Sequence, residues 1–203
     1  MILELDNVEL YYKSKPVLNS IYLKACSGEL THILGRNGSG KSSLLRILFG
    51  DLKPKYKLIR IDGQPVTTPL FKSGTIKCLP ELPFVPPNFR LKTVCNSYQV
   101  SWDGFKSHFA DFLPTRNEKF KNLSTGEQRI FETYLILRSP GKIILLDEPF
   151  KSLSPLAIDK LKIIIREEKQ KKIIIGADHH FDHWKDLSDR NYLLKDRSLK
   201  LLT

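Results

Sequence analysis

The chain has 203 residues, 41% of them hydrophobic, and a formal net charge of +11. That length buries one substantial core and leaves room for a small attached lobe. No apolar run approaches the roughly 20 residues a membrane-spanning helix needs, and Cys26, Cys78 and Cys95 lack C-x-x-C pairing, so they are expected to pack as small hydrophobes in a reducing compartment rather than to bind metal or form a disulfide framework. The basic runs Lys53–Lys57, Lys169–Lys172 and Lys195–Lys200 suit phosphates, an anionic membrane surface, nucleic acid or plain solubility. No basic helix carries interleaved aromatics and no RNA-recognition or zinc-finger pattern is present, so nucleic acid has no support.

Ile2 to Tyr12 alternates apolar and polar residues, as a half-buried antiparallel strand should. It has no charged-then-apolar leader layout, so the chain is expected to be cytosolic. A turn at Lys13 to Pro16 leads to a strand near Val17 to Ala25, and Ser27-Gly28 turns into a short apolar strand, Thr31 to Leu34. Next comes Gly35-Arg36-Asn37-Gly38-Ser39-Gly40-Lys41-Ser42-Ser43, opening a predicted helix over Lys41–Phe49. This segment fits G-x-x-x-x-G-K-[ST] in the strand–loop–helix context that a phosphate-binding loop requires. Its glycines let the backbone wrap closely round phosphates, with successive N–H groups pointing inward as an anion nest. Lys41 is expected to reach the β- and γ-phosphates, and the Ser42 hydroxyl to ligate Mg²⁺.

Tyr56–Ile61 and Thr75–Leu79 read as further strands. From Pro83 the character changes: prolines at 83, 86 and 87, Trp and Phe clusters, and a helix-like piece around Phe105–Phe112. Residues 83–122 are read as a small, mostly helical lobe inserted between core segments 1–82 and 123–203. Helix and strand then alternate: Glu127–Arg138, Ile143–Leu146, Pro155–Gln170 and Lys172–Ile175. That alternation implies a parallel sheet packed between helices. Tyr192–Lys195 and Ser198–Leu202 form a closing hairpin about Asp196-Arg197.

Two later segments carry chemistry. Leu123-Ser124-Thr125-Gly126-Glu127-Gln128 stands where an amphipathic helix begins, and its free amides and positive dipole end make a phosphate docking point. Asp147 and Glu148 follow a fully apolar strand at its carboxyl end, where ligands of open α/β sheets gather. Gly126 lies 21 residues before Asp147 (147 − 126). Asp147 is expected to hold Mg²⁺ through water, and Glu148 to orient or deprotonate the attacking water. A last segment, Asp178-His179-His180-Phe181-Asp182-His183, reads on composition alone as a metal tract, with His179 and His183 one helical turn apart.

The spacing of the Ser124–Gln128 and Ile143–Pro149 segments, with the phosphate loop, resembles the signature motif and Walker B strand of the ATP-binding-cassette (ABC) ATPases. The resemblance covers nearly the whole chain. It implies an α/β P-loop NTPase with a mixed sheet of parallel strands, an N-terminal antiparallel portion and an inserted helical lobe. It also implies that one histidine, His179 or its neighbour His180, senses the γ-phosphate. Tyr12 stands where the family places an aromatic against adenine, although strands favour tyrosine in any case. Ser124, Gly126 and Glu127 would cover the nucleotide of a second copy, making an ATP-closed dimer of two identical or two related chains.

Three positions depart from the family pattern. Glu81 stands where Gln usually touches Mg²⁺ and signals to the membrane partner; a carboxylate there strengthens Mg²⁺ binding, or repels the γ-phosphate if unpaired. Thr125 replaces the first signature glycine, and Ser154 replaces an aspartate that crosses the dimer interface. None removes Lys41, Asp147, Glu148 or His179. The expectation is an active Mg²⁺-dependent ATPase, the subunit that powers a separate membrane-spanning transporter chain from the cytoplasmic face. Alternatives are an ABC-type ATPase of protein assembly, translation or DNA maintenance, and a regulatory subunit that binds ATP without turnover.

Overall fold

The computed structural model describes residues 1–112 and 114–202; Leu113, inside the expected lobe, lies outside them. Strand β1 (Ile2–Tyr12) buries Leu3, Leu5, Val8 and Leu10 on one face. The skip from Leu5 to Val8 is absorbed by a bulge at Asn7, whose φ is 49°. Without that extra residue, Val8 and Leu10 would point to solvent. Antiparallel pairing with β2 (Lys15–Cys26) and β4 (Tyr56–Ile61), and of β4 with β5 (Gln64–Pro65), gives a four-stranded sheet in the order β2-β1-β4-β5. The expected turn at Lys13–Pro16 is shorter than predicted. Pro16 already pairs with Tyr11, which is tolerated because β2 is an edge strand.

The second sheet contains β3 (Leu30–Leu34), β6 (Ile76–Leu79), β7 (Ile143–Asp147), β8 (Ile173–Asp178), β9 (Arg190–Lys195) and β10 (Ser198–Leu202), in the order β10-β9-β3-β8-β7-β6. It is parallel except for the β9–β10 hairpin. Its interior strands are apolar on both faces because both faces are covered. Ile144, Leu146 and Ile174 join one core with helices α4 (Thr125–Arg138) and α5 (Pro155–Lys169). Ile143, Leu145, Ile173 and Ile175 join the other, with α1 (Lys41–Phe49) and the antiparallel sheet. This is the predicted α/β architecture, with its antiparallel portion laid over α1.

Among the described residues of 83–122 the α-helices are α2 (Leu91–Ser97) and α3 (Trp102–His108), followed by a 3₁₀ turn at Phe120–Asn122. The helix expected at Phe105–Phe112 therefore starts and stops earlier. Ser101 caps it by accepting from the Gly104 amide at 3.1 Å, and past His108 the chain turns so that Phe109 and Phe112 pack on Phe105. Phe105 also meets Phe131 and Tyr134 of α4 at ring-centroid distances of 5.5 and 5.1 Å, so the lobe shares an aromatic core with α4. Strand β8 runs three residues beyond the predicted Ile175, because Gly176 leaves room for the Trp184 indole, which a Cβ there would meet at 1.9 Å.

Candidate active site

Strand β3 delivers the phosphate loop to the middle of the parallel sheet. A Cβ on Gly35 would lie 2.7 Å from Ser39 Oγ and 2.8 Å from the Leu194 carbonyl oxygen, so the loop closes against β9 only with glycine there. Gly40, with φ at 108°, starts α1 without any side-chain cap. The first amides of α1 therefore remain for a ligand. Lys41 is buried, and its Nζ donates to the carbonyls of Gly35 at 2.8 Å and Arg36 at 3.2 Å. Burial lowers its pKa, while Glu148 and Asp147 oppose the shift. These loop carbonyls are the bonds the ammonium would exchange for phosphate oxygens.

Tyr12, Asn37, Gly38, Gly40, Lys41, Ser42, Ser43, Glu81 and Glu148 line one cleft of about 410 Å³, a size typical of ligand sites. Tyr12 is exposed at its rim, its hydroxyl 3.3 Å from Ser43 Oγ. Arg36 lies on the adjoining side of the loop with Gly35 and His179. Asp147 ends β7 nearly buried, and burial raises its pKa; the Ser42 hydroxyl pulls the other way. Its Oδ1 is enclosed and has no hydrogen-bond partner. A bare carboxylate oxygen beside a serine hydroxyl is the donor set that a hard divalent cation takes, so these residues fit Mg²⁺.

Glu148 adopts φ 49°, a left-handed conformation that costs a non-glycine residue about 1–3 kcal/mol. Neighbouring groups hold it there. Its amide donates to the Ala177 carbonyl at 2.8 Å. Its carbonyl accepts from Arg129 Nη2 at 2.9 Å and Nε at 3.2 Å. Arg129, buried on α4, also donates to the carbonyls of Pro80 and Asp147, so it ties α4 to the ends of β6 and β7. Sequence reasoning does not single out Arg129; its signal there is a charged pair, Arg129 and Glu132, three apart among Ile130, Phe131 and Tyr134–Leu137.

The Glu148 side chain points Oε1 at His179 Nδ1, 3.0 Å away. Asp178, also passed over, sets that histidine in place: its Oδ1 accepts from the His179 and His180 amides at 2.7 and 3.0 Å, and its Oδ2 from Trp184 Nε1 at 3.3 Å. His180 has its ring against that of His179, 3.9 Å between centroids. The structure does not pair His179 with His183: Phe181–His183 is a single 3₁₀ turn, and among the described residues the ligand atoms that cluster are those of Glu148, Asp178 and His179. Both oxygens of Asp178 are already engaged by donors.

Ser124 is the N-cap of α4 in a full capping box. Its Oγ accepts from the Glu127 amide at 3.3 Å, and Glu127 Oε2 accepts from the Ser124 amide at 2.8 Å. That amide, expected to face phosphate, is thus held by Glu127 in this state. Among the described residues, Ser124, Gly126 and Glu127 are not part of the lining of the Lys41 cleft. Thr125 is the first residue of α4. Ser154 caps α5 by accepting from the Ala157 amide at 3.3 Å. Glu81 is not unpaired: its Oε1 accepts from Lys151 Nζ at 2.7 Å.

Known proteins resemble this chain in sequence and in fold. The ABC transporter family model matches residues 18–151. The arabinose import ATP-binding protein AraG of Mannheimia succiniciproducens is 29% identical over 96% of this chain and 42% of its own length. The chain therefore spans less than half of the sugar-import relatives it matches. Other relatives are spanned almost entirely: the lipopolysaccharide export system ATP-binding protein LptB of Haemophilus influenzae is 27% identical over 95% of this chain and 86% of its own. A solved ABC transporter ATP-binding protein from Pyrococcus furiosus superposes with a TM-score of 0.79 at 27% identity, covering 96% of this chain and 98% of that one. An ATP-bound bacterial exporter of the Atm1 family has the same fold, with a TM-score of 0.86 at 22% identity over 98% of this chain and 38% of that one.

Proposed function

This chain belongs to the ABC transporter family of ATP-binding domains, and from that premise we propose that it is the ATP-hydrolysing subunit of a transporter whose membrane-spanning chain is separate. One observation carries the proposal: three distant segments meet at the phosphate loop, where Lys41 and Glu148 line one cleft, Asp147 stands beside Ser42, and His179 Nδ1 lies 3.0 Å from Glu148 Oε1. Residues 1–203 form one ATP-binding domain, with 83–122 as its inserted lobe. No helix among the described residues is long and apolar enough to cross a membrane, which is consistent with a subunit that reaches the cytoplasmic face through its partner.

Lys41 and the amides of Gly35–Ser43 hold the phosphates, and Tyr12 stacks on adenine at the rim. Ser42 and Asp147 would hold Mg²⁺, which would neutralise charge on the phosphates. Glu148 takes the proton of the attacking water, and His179, bonded to the far side of that carboxylate, keeps it aimed at the cleft. Glu81 lies close enough to contribute to the metal's surroundings. The Ser124–Glu127 segment completes the cleft of a second copy, or of a related chain, and excludes water as the pair closes.

The experiment is ATP hydrolysis by the purified chain, alone and with its membrane partner, beside a Glu148→Gln variant. Mg²⁺-dependent turnover should fall by about 10²- to 10⁴-fold in the variant, which should become a dimer when ATP is added. Equal turnover in both proteins, or an ATP-loaded variant that stays monomeric at high concentration, overturns the reading.

A further inference from the structure

Glu148 has a second partner that the mechanism above leaves unused. While Oε1 faces His179, Oε2 lies 3.5 Å from the Lys151 ammonium. Lys151 is brought there by its backbone, whose amide donates to the Glu148 carbonyl at 3.2 Å, so the turn Glu148–Lys151 folds the lysine back over the glutamate. Between them Phe150 is buried against Trp184, 5.1 Å between centroids, and anchors the turn. The same ammonium donates to Glu81 Oε1 at 2.7 Å, from a loop 70 residues earlier.

We propose that Lys151 is a positioning residue for Glu148, and that Glu81 sets where Lys151 stands. The geometry supplies the reason. A carboxylate held at one oxygen still pivots about that contact, whereas one held at both oxygens has a fixed plane. His179 and Lys151 grip opposite oxygens of Glu148, which otherwise depends on strained backbone alone. An isolated surface pair such as Glu81–Lys151, each roughly half exposed, contributes little to stability. Its value here lies in direction: without Glu81 the flexible lysine stem has no fixed end. In the same way the Glu81–Lys151 bond removes the repulsion that an unpaired Glu81 would exert on phosphate.

This inference rests on the hydrolytic reading, and two measurements separate them. In the full chain labelled with ¹³C-glutamate, the Glu148 carboxyl resonance is identified by its loss in Glu148→Gln. It should move in Lys151→Met and, less, in Glu81→Gln, without nucleotide present. In turnover assays Lys151→Met should lower kcat by about ten- to a hundredfold, as a displaced catalytic group does, while KM and ATP affinity stay within about twofold. Lys151→Arg should recover most of the loss, and adding Glu81→Gln to Lys151→Met should move the Glu148 resonance no further. An unmoved resonance, a loss confined to KM, or a further shift of the resonance in the double variant would each overturn the positioning role. A chain that binds ATP without hydrolysing it defeats the function proposed above, and the resonance alone then decides this inference.

Discussion

Gly176 and Trp184 show how one small residue governs the catalytic end of β8. A Cβ at Gly176 would lie 1.9 Å from the Trp184 ring, which is fully buried and stacked on His32 with centroids 4.6 Å apart. Such overlap forces the indole or the strand to move, at a cost of about 3 kcal/mol. Displacing the indole also breaks its bond to Asp178, which holds His179 beside Glu148. Gly176→Ala is therefore expected to lower the urea midpoint and to reduce ATP turnover together. Gly176→Ala combined with Trp184→Leu should regain part of the stability; a single substitution with an unchanged midpoint refutes the packing account. Nothing in the local sequence announces this contact, since Gly176 reads equally well as the end of a strand.

At the scale of elements, α4 does two things at once. From Phe131 onward it buries Phe131, Leu135 and Leu137 in the core, and its N-terminus carries the Ser124–Glu127 capping box. Ser124→Ala should cost about 1 kcal/mol in denaturant unfolding, the usual loss of an N-cap. Ser124→Asn keeps a capping side chain and should restore that stability. In the Glu148→Gln background, however, it should still impair ATP-driven dimer formation, because a larger group occupies the face expected to meet phosphate. A Ser124→Asn variant that associates as well as its parent places the phosphate contact elsewhere. The helix start was legible from Ser124 and Glu127, because a capping side chain and its partner three residues on satisfy amides that a helix N-terminus leaves free. The occupation of the Ser124 amide by Glu127 carries the same S-x-x-E signature; only the structure shows that this segment lies outside the lining of the Lys41 cleft.

The whole molecule places His32 in the central strand of the parallel sheet, where burial drives its pKa down from 6.5 to about 4. Its Nε2 has no partner and its Nδ1 lies 3.3 Å from Asn191 Oδ1. The unfolded chain thus takes up a proton below its ordinary pKa that the native protein refuses. The stabilisation is complete above that pKa and is lost as pH falls toward about 4, a change of roughly 3 kcal/mol by linkage. His32→Phe, which keeps a ring against Trp184, should flatten the acid side of a urea-midpoint-against-pH curve. An unchanged slope would show that His32 is protonated in the native state. By itself the sequence determined the phosphate loop, the signature helix, the apolar Walker B strand and the alternation that makes an α/β sheet, because each is a short-range pattern dictated by backbone geometry and burial. Only the tertiary structure decided that Arg129 clamps the strand ends, that Asp178 aims His179, and that Lys151 joins Glu81 to Glu148. Those contacts unite residues far apart in the chain, and their geometry exists only once the sheet has brought its strand ends to one edge.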